Sequence, residues 1–362
     1  MKIIKFCYVY LLTNILKIRI KPRVIQMPIT NKCNSKCITC NVWKNNSKVD
    51  VRPDELEMVL KSSYFNKVTD VGLNGGEPSL HSSLDEVVSA VISLKKLKNI
   101  YLISNGINAV KLLPGLENAK SLCEKKRVRL HLTISIDGVD NIHDDIRGIT
   151  GSFIKSIDTI KVIKKYQSKY CDSLSIGVTI SNENVNYLAA IKVYLEDLGV
   201  AANYHIAVPN KRIDTFYESP YSIMNDRYLI MLAREYFYGI FKFSTSFKER
   251  ISGFMNYYYL INRERIATCD YLRSDITIDE NLDLYLCATA SEKIGSLKQF
   301  SPSYYIKNKS FNKVLKETEV NCKECDHYVL KPTIRGAYLY IKECLSPIIW
   351  IRYMIKANLK IY

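Results

Sequence analysis

The sequence predicts an α/β protein in which a partial barrel of six βα units precedes a small, cysteine-rich α+β subdomain. Between residues 23 and 210, short apolar and β-branched runs alternate with amphipathic stretches, as in repeated strands and helices. After residue 265 come short strand-like runs, DITID and LDLYLC, and four cysteines. Of the 362 residues, 47% are hydrophobic, so a substantial core can be buried.

The strands and helices of the barrel alternate along the chain. The candidate strands are residues 23–29, 68–73, 99–104, 128–136, 174–180 and 203–208. The candidate helices are residues 53–62, 84–96, 108–125, 152–166 and 184–198. Repeated strand, helix, strand connections imply a parallel sheet, and six units favour a partial, TIM-like (β/α)6 barrel over a closed barrel of eight strands.

The chain divides into five predicted segments. They are an N-terminal amphipathic segment (1–22), the barrel (23–210), a helical linker (211–265), the cysteine-rich subdomain (266–330) and a basic, apolar C-terminal segment (331–362). Lys5 interrupts the first apolar run and no cleavage site follows, so neither a signal peptide nor a membrane span is predicted. Both terminal segments mix aromatic and aliphatic residues with Lys and Arg, which fits either an anionic membrane surface or packing on the core.

Charge and cysteine content limit the classes of function. The 52 Lys and Arg outnumber the 36 Asp and Glu, which favours an anionic partner. The basic residues are spread over helical stretches without a nucleic-acid motif, so nucleic-acid binding is not expected. Chain length and the lack of an export signal disfavour a secreted disulfide framework for the eleven cysteines, and a reducing cytoplasm is predicted.

Unusual polar motifs follow the first four candidate strands. A loop with three cysteines follows the first strand, NGGEP (74–78) the second and SNG (104–106) the third, and SIDG (135–138) closes the fourth. Because parallel strands end at the same edge of a sheet, we expect these four loops to converge on one rim of the barrel.

The first cysteine set is Cys33, Cys37 and Cys40, spaced as CxxxCxxC. Structural zinc takes four ligands, so a zinc site here would need a remote fourth cysteine. A 4Fe-4S cluster held by three cysteines instead leaves one iron open to bind a substrate or cofactor.

The run CNSKCITCNVW, followed by LNGGEP, ISNG and SIDGVDNIHDDIRG, resembles the radical S-adenosylmethionine (radical SAM) enzymes over about residues 23–210. The resemblance implies that the open iron chelates the amino and carboxylate groups of S-adenosylmethionine. Reductive cleavage would then release a 5′-deoxyadenosyl radical that takes a hydrogen atom from the substrate, so no catalytic side chain is assigned beyond the cluster and cofactor site.

The resemblance also implies which residues bind the cofactor. Gly75, Gly76 and Glu77 would serve its amino group, Ser135 and Arg147 its carboxylate, and Thr179 and Asn182 its ribose. Glu77 could instead stabilise its loop, and Arg147 could form an exposed ion pair at a helix end.

Neighbouring positions are open to more than one interpretation. Asp137 would support its loop or face the substrate, and His143 and Asp144 are expected to be structural. Thr39 stands where the family often has an aromatic residue, and Trp43 either compensates for it or packs at the barrel mouth.

The second cysteine set is Cys269, Cys287, Cys322 and Cys325. It resembles the twitch subdomain, which holds one auxiliary 4Fe-4S cluster. The larger SPASM version holds a second auxiliary cluster and needs additional paired cysteines, but Cys344 alone remains downstream. Zinc is the alternative, because ligand identity does not separate the two metals. A fully ligated cluster suits electron acceptance, which favours net oxidation or bond formation over a rearrangement.

These features together predict a radical SAM oxidoreductase-type enzyme that takes electrons from a low-potential donor such as flavodoxin or ferredoxin. Only 32 residues precede Cys33, fewer than a leader-binding domain needs, so a small molecule such as a sugar-like alcohol is expected. A separate leader-binding protein would restore a peptide substrate. The alternative from another class is a metal-stabilised binding protein without turnover.

Overall fold

The computed structural model describes residues 18–213, 215, 219–325, 327 and 331–345. Its strands are β1 (Val24–Thr30), β2 (Asp70–Gly75), β3 (Asn99–Ser104), β4 (Arg129–Ser135), β5 (Ser173–Ile180), β6 (Ala202–Ile206), β7 (Ile276–Ile278), β8 (Asp283–Tyr285) and β9 (Lys293–Ser296). They form one sheet in the order β6-β5-β4-β3-β2-β1-β7-β8-β9, in which β1 to β6 are parallel. The predicted α/β partial barrel of six parallel strands is confirmed.

The helices are α1 (Pro53–Leu60), α2 (Leu84–Val91), α3 (Ala109–Lys125), α4 (Asn141–Arg147), α5 (Ser152–Lys165), α6 (Gln167–Tyr170), α7 (Leu188–Leu198), α8 (Arg227–Phe243), α9 (Phe247–Asn262), α10 (Pro302–Ile306), α11 (Lys309–Asn321) and α12 (Ile334–Cys344). The helix α4 lies inside SIDGVDNIHDDIRG and was not among the candidate helices of the sequence. Its seven residues are too few to show a helical period.

The core lies between one face of the sheet and the helices that follow the strands. Strand β4 shows the arrangement, because Leu130, Leu132 and Ile134 are buried while Arg129 and His131 are more exposed on the other face. This alternation is the period of two that a strand imposes on its side chains. The helix side supplies the buried apolar residues of α2 and its neighbours.

The strands after the barrel extend its sheet. Strand β7 pairs in parallel with β1 through Ile25 and Ile276, and β8 and β9 add an antiparallel hairpin. Asp275 fixes the junction, since its Oδ1 accepts hydrogen bonds from the backbone N–H groups of Arg23 and Val24 at 3.2 and 3.1 Å. The cysteine-rich strands are therefore continuous with the barrel at its β1 edge.

Contacts divide the chain into two compact units, Met1–Leu229 with Asp270–Cys325 and Ile230–Cys269 with Asp326–Tyr362. Each predicted terminal segment lies partly outside the described residues, which begin at residue 18 and end at residue 345. Within the described part of the chain, no helix has the length and apolar composition to cross a membrane.

The second unit has a small core of its own, made by α8, α9 and α12. Phe241 and Phe254 pack with ring centroids 5.2 Å apart, and Tyr340 of α12 lies against both at 5.6 and 5.5 Å. Ile266 and Ala267 complete this aromatic cluster. Much of the tyrosine and phenylalanine of this region therefore serves packing.

Candidate functional site

The loop that contains Cys33, Cys37 and Cys40, residues 33–40, follows strand β1, and we call it the cysteine loop. The NGGEP and SNG motifs are hydrogen-bonded to this loop or to the residues just before it, and the SIDG motif is connected to it through Arg147, the ion-pair partner of Asp137. The expected convergence of four loops on one rim is confirmed.

The first brace comes from the loop after β2. The N–H of Gly76 donates to the Thr30 carbonyl and the N–H of Glu77 donates to the Lys32 carbonyl, both at 2.7 Å. A Cβ on Gly76 would lie 2.1 Å from the Lys32 oxygen, and Gly75 has a φ of +138°. The two glycines are therefore required for the close approach of the loop after β2 to the backbone of Thr30 and Lys32, independently of any bound cofactor.

Glu77 connects this loop to the one after β3. It is 1% exposed, and its Oε1 accepts hydrogen bonds from Ser104 Oγ at 2.7 Å and Ser79 N at 3.1 Å. Its Oε2 accepts one from Asn105 N at 2.7 Å. Glu77 therefore holds the loops after β2 and β3 together.

The second brace comes from Asn105 in the SNG motif. Its Nδ2 donates to Asn34 Oδ1 at 2.7 Å and to Ser35 Oγ at 3.2 Å, within the cysteine loop. The sequence identified this motif but gave Asn105 no role. Its position directly after a buried strand was the available signal.

The third brace is the C-terminal end of helix α4. The N–H groups of Lys36 and Ile38 donate to the carbonyls of Arg147 and Ile146 at 2.8 and 3.0 Å. Arg147 Nη1 also lies 3.6 Å from Cys37 Sγ. Because Arg147 is buried, it does not form the exposed helix-end ion pair that was the alternative for it.

The guanidinium of Arg147 is held by Asp137, whose Oδ2 lies 2.7 Å from Nη2. Burial alone would lower the pKa of Arg147, but the charges of Asp137 and of the nearby cysteines raise it overall. The site therefore keeps a permanent positive charge beside Cys37.

Asp137 also organises the ends of neighbouring strands. Its Oδ1 accepts the N–H of Thr179 at 2.8 Å, and its own N–H donates to His143 Nδ1 at 3.1 Å. Asn184, which the sequence analysis did not single out, donates to the Asp137 carbonyl at 2.7 Å and to the Thr179 carbonyl at 2.8 Å. The loop-supporting role of Asp137 is the one that the geometry provides.

His143 and Asp144 have structural surroundings. Burial lowers the pKa of His143 to about 4, with Arg147 adding to the shift. Asp144 accepts hydrogen bonds from Ser152 Oγ at 2.8 Å and Phe153 N at 2.7 Å at the start of α5.

Residues 27–193 match the family model described as the radical SAM superfamily. The matched range begins in β1, ends in α7 and includes every brace of the cysteine loop. The chain carries a radical SAM domain.

Relatives with similar sequences carry names that refer to different functions. The sporulation killing factor maturation protein SkfB of Bacillus subtilis is 31% identical over 166 residues, which are 43% of this chain and 36% of that protein. An AdoMet-dependent heme synthase of Methanosarcina barkeri is 27% identical over 203 residues, 53% of each chain. This chain thus spans between a third and a little over half of the length of these relatives.

The fold is shared over a longer stretch. A solved structure described as native anSMEcpe with bound AdoMet and Cp18Cys peptide has a TM-score of 0.60 and 16% sequence identity, covering 86% of this chain and 88% of that one. This similarity extends beyond the radical SAM domain and shows the fold.

The three thiols of the domain fit a metal cluster by their chemistry. Burial raises the pKa of Cys33 to about 12, and Cys37 and Cys40 contribute in the same direction. Burial also raises the pKa of Cys40, while Arg212 and Arg147 oppose that rise. Cys33 and Cys40 are thus protonated without a metal, and metal binding there must release their protons. Among the described residues, no group of three or more His, Cys, Asp or Glu side chains is arranged to hold a single metal ion.

Buried side-chain oxygens without hydrogen-bond partners lie at the ends of strands β2 and β5. Asn74 Oδ1, Ser181 Oγ and Asn182 Oδ1 are buried and have no hydrogen-bond partner among the described groups. Asn74 directly precedes Gly75, and the other two follow β5. A ligand with several polar groups would satisfy such atoms.

Other predicted residues have these positions. Ser135 ends β4, and Thr179 lies in β5 with its Oγ1 3.1 Å from His205 Nε2. Trp43 Nε1 donates to the Cys37 carbonyl at 3.4 Å, so its side chain contacts the cysteine loop, and Thr39 is half-buried within that loop.

The second cysteine set is distributed over both units. Cys287 is buried, and its Sγ accepts the N–H of Ala290 at 3.3 Å. Cys322 and Cys325 lie in one turn after α11, joined by a hydrogen bond of 3.4 Å from Cys325 N to the Cys322 carbonyl. Cys269 is the last residue of the stretch that belongs to the second unit. The four-cysteine site stays a prediction.

A cavity of about 510 Å³ borders the cysteine loop at Ile38 and is lined also by Arg212 and Glu280. Its size lies in the range of roughly 300–1,000 Å³ that is typical of small-ligand sites. Arg212 Nη1 and Glu280 Oε2 are 3.6 Å apart, and neither Arg212 Nε nor Glu280 Oε2 has a hydrogen-bond partner among the described groups. Burial raises the pKa of Glu280, and Arg212 opposes the rise. No motif marks either residue, so the sequence analysis missed both.

Proposed function

We propose that this protein is a radical SAM enzyme. Cys33, Cys37 and Cys40 would hold a 4Fe-4S cluster whose open iron binds S-adenosylmethionine. The observation that carries this proposal is the bracing of the cysteine loop from three sides by Glu77, Asn105 and Arg147. A purely structural metal needs no such convergence.

When bound together, the reduced cluster and S-adenosylmethionine supply a 5′-deoxyadenosyl radical that abstracts hydrogen. The chain contributes charge and geometry to this chemistry. Arg147, buried 3.6 Å from Cys37 Sγ, offsets the negative charge that three thiolates and the cluster bring. Its ion pair with Asp137 keeps the guanidinium in position.

Seven residues are proposed to bind S-adenosylmethionine or to fix the loops around it: Gly75, Gly76, Glu77, Ser135, Arg147, Thr179 and Asn182. The geometry supports two kinds of role among them. Glu77 and Arg147 act through the loops they fix, since their polar atoms are largely engaged by this chain. Asn182 Oδ1 is without a partner among the described groups and could bind the cofactor directly.

Cys269, Cys287, Cys322 and Cys325 are proposed to hold one auxiliary 4Fe-4S cluster. With four cysteines it would accept an electron from a substrate radical, so net oxidation or bond formation is the proposed outcome. A low-potential donor such as flavodoxin or ferredoxin would reduce the first cluster, in the cytoplasm.

For the substrate we favour a peptide. The name of the relative SkfB is that of a maturation protein for a sporulation killing factor, and the structural neighbour anSMEcpe holds a peptide. The cavity beside the cysteine loop offers donors and acceptors such as those of Arg212 and Glu280, which suit an amide-rich ligand. A small molecule, the expectation from the sequence, is the second candidate and is supported by the heme synthase relative.

Metal analysis after anaerobic reconstitution tests the proposed clusters. The intact chain should hold about eight iron and eight sulfide, while Cys322→Ala with Cys325→Ala should hold about four of each. Adding S-adenosylmethionine should change the electron paramagnetic resonance spectrum of both reduced proteins. Stoichiometric zinc instead of iron, or a spectrum insensitive to S-adenosylmethionine, would contradict the proposal.

A further inference from the structure

Helix α12 presents apolar residues on two opposite faces. Its inner face packs on the aromatic cluster of the second unit through Leu339 and Tyr340. The outer face carries Ile334, Tyr338, Ile341 and Leu345, which are 68%, 63%, 56% and 76% exposed. Residues spaced by four, three and four positions lie in one line along a helix, so these side chains form a continuous apolar stripe.

Basic and aromatic residues adjoin this stripe. Arg335 and Lys342, seven positions apart and both exposed, lie along one flank of it, and Arg335 is ion-paired with Glu264. The turn between α8 and α9 lies beside the C-terminal half of α12, because Lys242 Nζ is 3.5 Å from the Glu343 carbonyl. Phe247, the first residue of α9, is exposed there, with its ring centroid 6.2 Å from that of Tyr340.

We infer that this face of the second unit binds the surface of an anionic membrane. The stripe would enter the headgroup region while Lys342 meets lipid phosphates. This inference concerns attachment of the protein and is independent of the proposed reaction.

Charge distinguishes a membrane from other occupants. The sequence after Glu343 contains Arg352, Lys356 and Lys360 and no acidic residue, and the chain as a whole has a net charge of +16. A second copy would bring like charges together, which disfavours self-association through this face. An anionic lipid surface is complementary both to the stripe and to the basic residues around it.

Flotation of the full chain with vesicles provides the test. One set of vesicles contains phosphatidylglycerol and phosphatidylcholine in equal parts, and the other phosphatidylcholine alone. The combined variant Ile334→Ser, Tyr338→Ser and Ile341→Ser should bind the acidic vesicles about tenfold more weakly or worse, because large apolar side chains no longer enter the bilayer. Lys342→Gln should weaken that binding about fivefold at low salt.

A matched control removes three equally exposed apolar residues elsewhere, Met58→Ser, Val110→Ser and Ile154→Ser. It should bind the acidic vesicles as the unchanged chain does. Near-ultraviolet circular dichroism checks that every variant is folded. The inference is overturned if the stripe variant, folded, binds like the control, if the unchanged chain binds both vesicle types equally or not at all, or if light scattering shows that the stripe joins two copies.

Discussion

Arg147 Nη2 lies 2.7 Å from Asp137 Oδ2, and both side chains are buried. This pair joins the end of helix α4 to the end of strand β4. Because Arg147 also contacts Cys37, the pair links the cysteine loop to helix α4 and to the residues that follow strand β4.

Replacing Asp137 by Asn should destabilise the protein by about 3 kcal/mol, because it leaves the buried Arg147 without its negative partner. The measurement is the free energy of unfolding in urea, for the unchanged chain and the variant. Asp158→Asn is the control, since Asp158 is exposed and lies 3.8 Å from Lys161. A loss for Asp137→Asn no larger than that of the control would contradict the account.

Replacing Glu77 by Gln should lower the free energy of unfolding by about 1–3 kcal/mol. In the variant an amide N–H₂ would face a buried donor that in the unchanged chain is bound to a carboxylate oxygen. The donors in question are Asn105 N and Ser104 Oγ, both at 2.7 Å. Glu117→Gln, at an exposed ion pair, should change stability by less than about 0.5 kcal/mol. Equal effects of the two changes would argue against the proposed role of Glu77 in holding the two loops together.

Replacing Gly76 by Ala should disrupt the cysteine loop, since the new Cβ would lie 2.1 Å from the Lys32 carbonyl oxygen. Iron retained after reconstitution and gel filtration should fall well below that of the unchanged chain. Gly239→Ala in helix α8 is the control, because its Cβ would meet nothing within 4 Å. Full iron retention by Gly76→Ala would show that the approach of the two loops is not required.

Stability should fall as the pH is lowered from about 6.5 to about 4, because the unfolded chain protonates His143 while burial keeps it neutral in the folded state. The contribution of His143 is complete above pH 6.5, and its loss amounts to about 3 kcal/mol at the acidic end. His143→Asn does not titrate and keeps an acceptor for the Asp137 N–H. Urea midpoints measured across this pH range should therefore decline less steeply for the variant. Parallel pH profiles would remove His143 as a cause.

The sequence predicted the barrel and the meeting of its loops because both follow from local patterns. Strand and helix periods place the loops after the strands, and parallel topology brings those loops to one rim. The contact between Arg147 and Cys37 joins positions 110 residues apart, and no local pattern encodes it. The same applies to Arg212 and Glu280 at the cavity and to the pairing of β7 with β1, which depend on how distant segments pack.

Formation of 5′-deoxyadenosine tests the central claim most directly. The reconstituted, reduced chain should convert S-adenosylmethionine to 5′-deoxyadenosine under anaerobic conditions, and replacing Cys33, Cys37 and Cys40 together by Ala should abolish the product. Cys123→Ala, at a buried cysteine outside both sets, should leave the product detectable if the variant is folded. An intact, reduced cluster that binds S-adenosylmethionine without ever cleaving it would contradict the account.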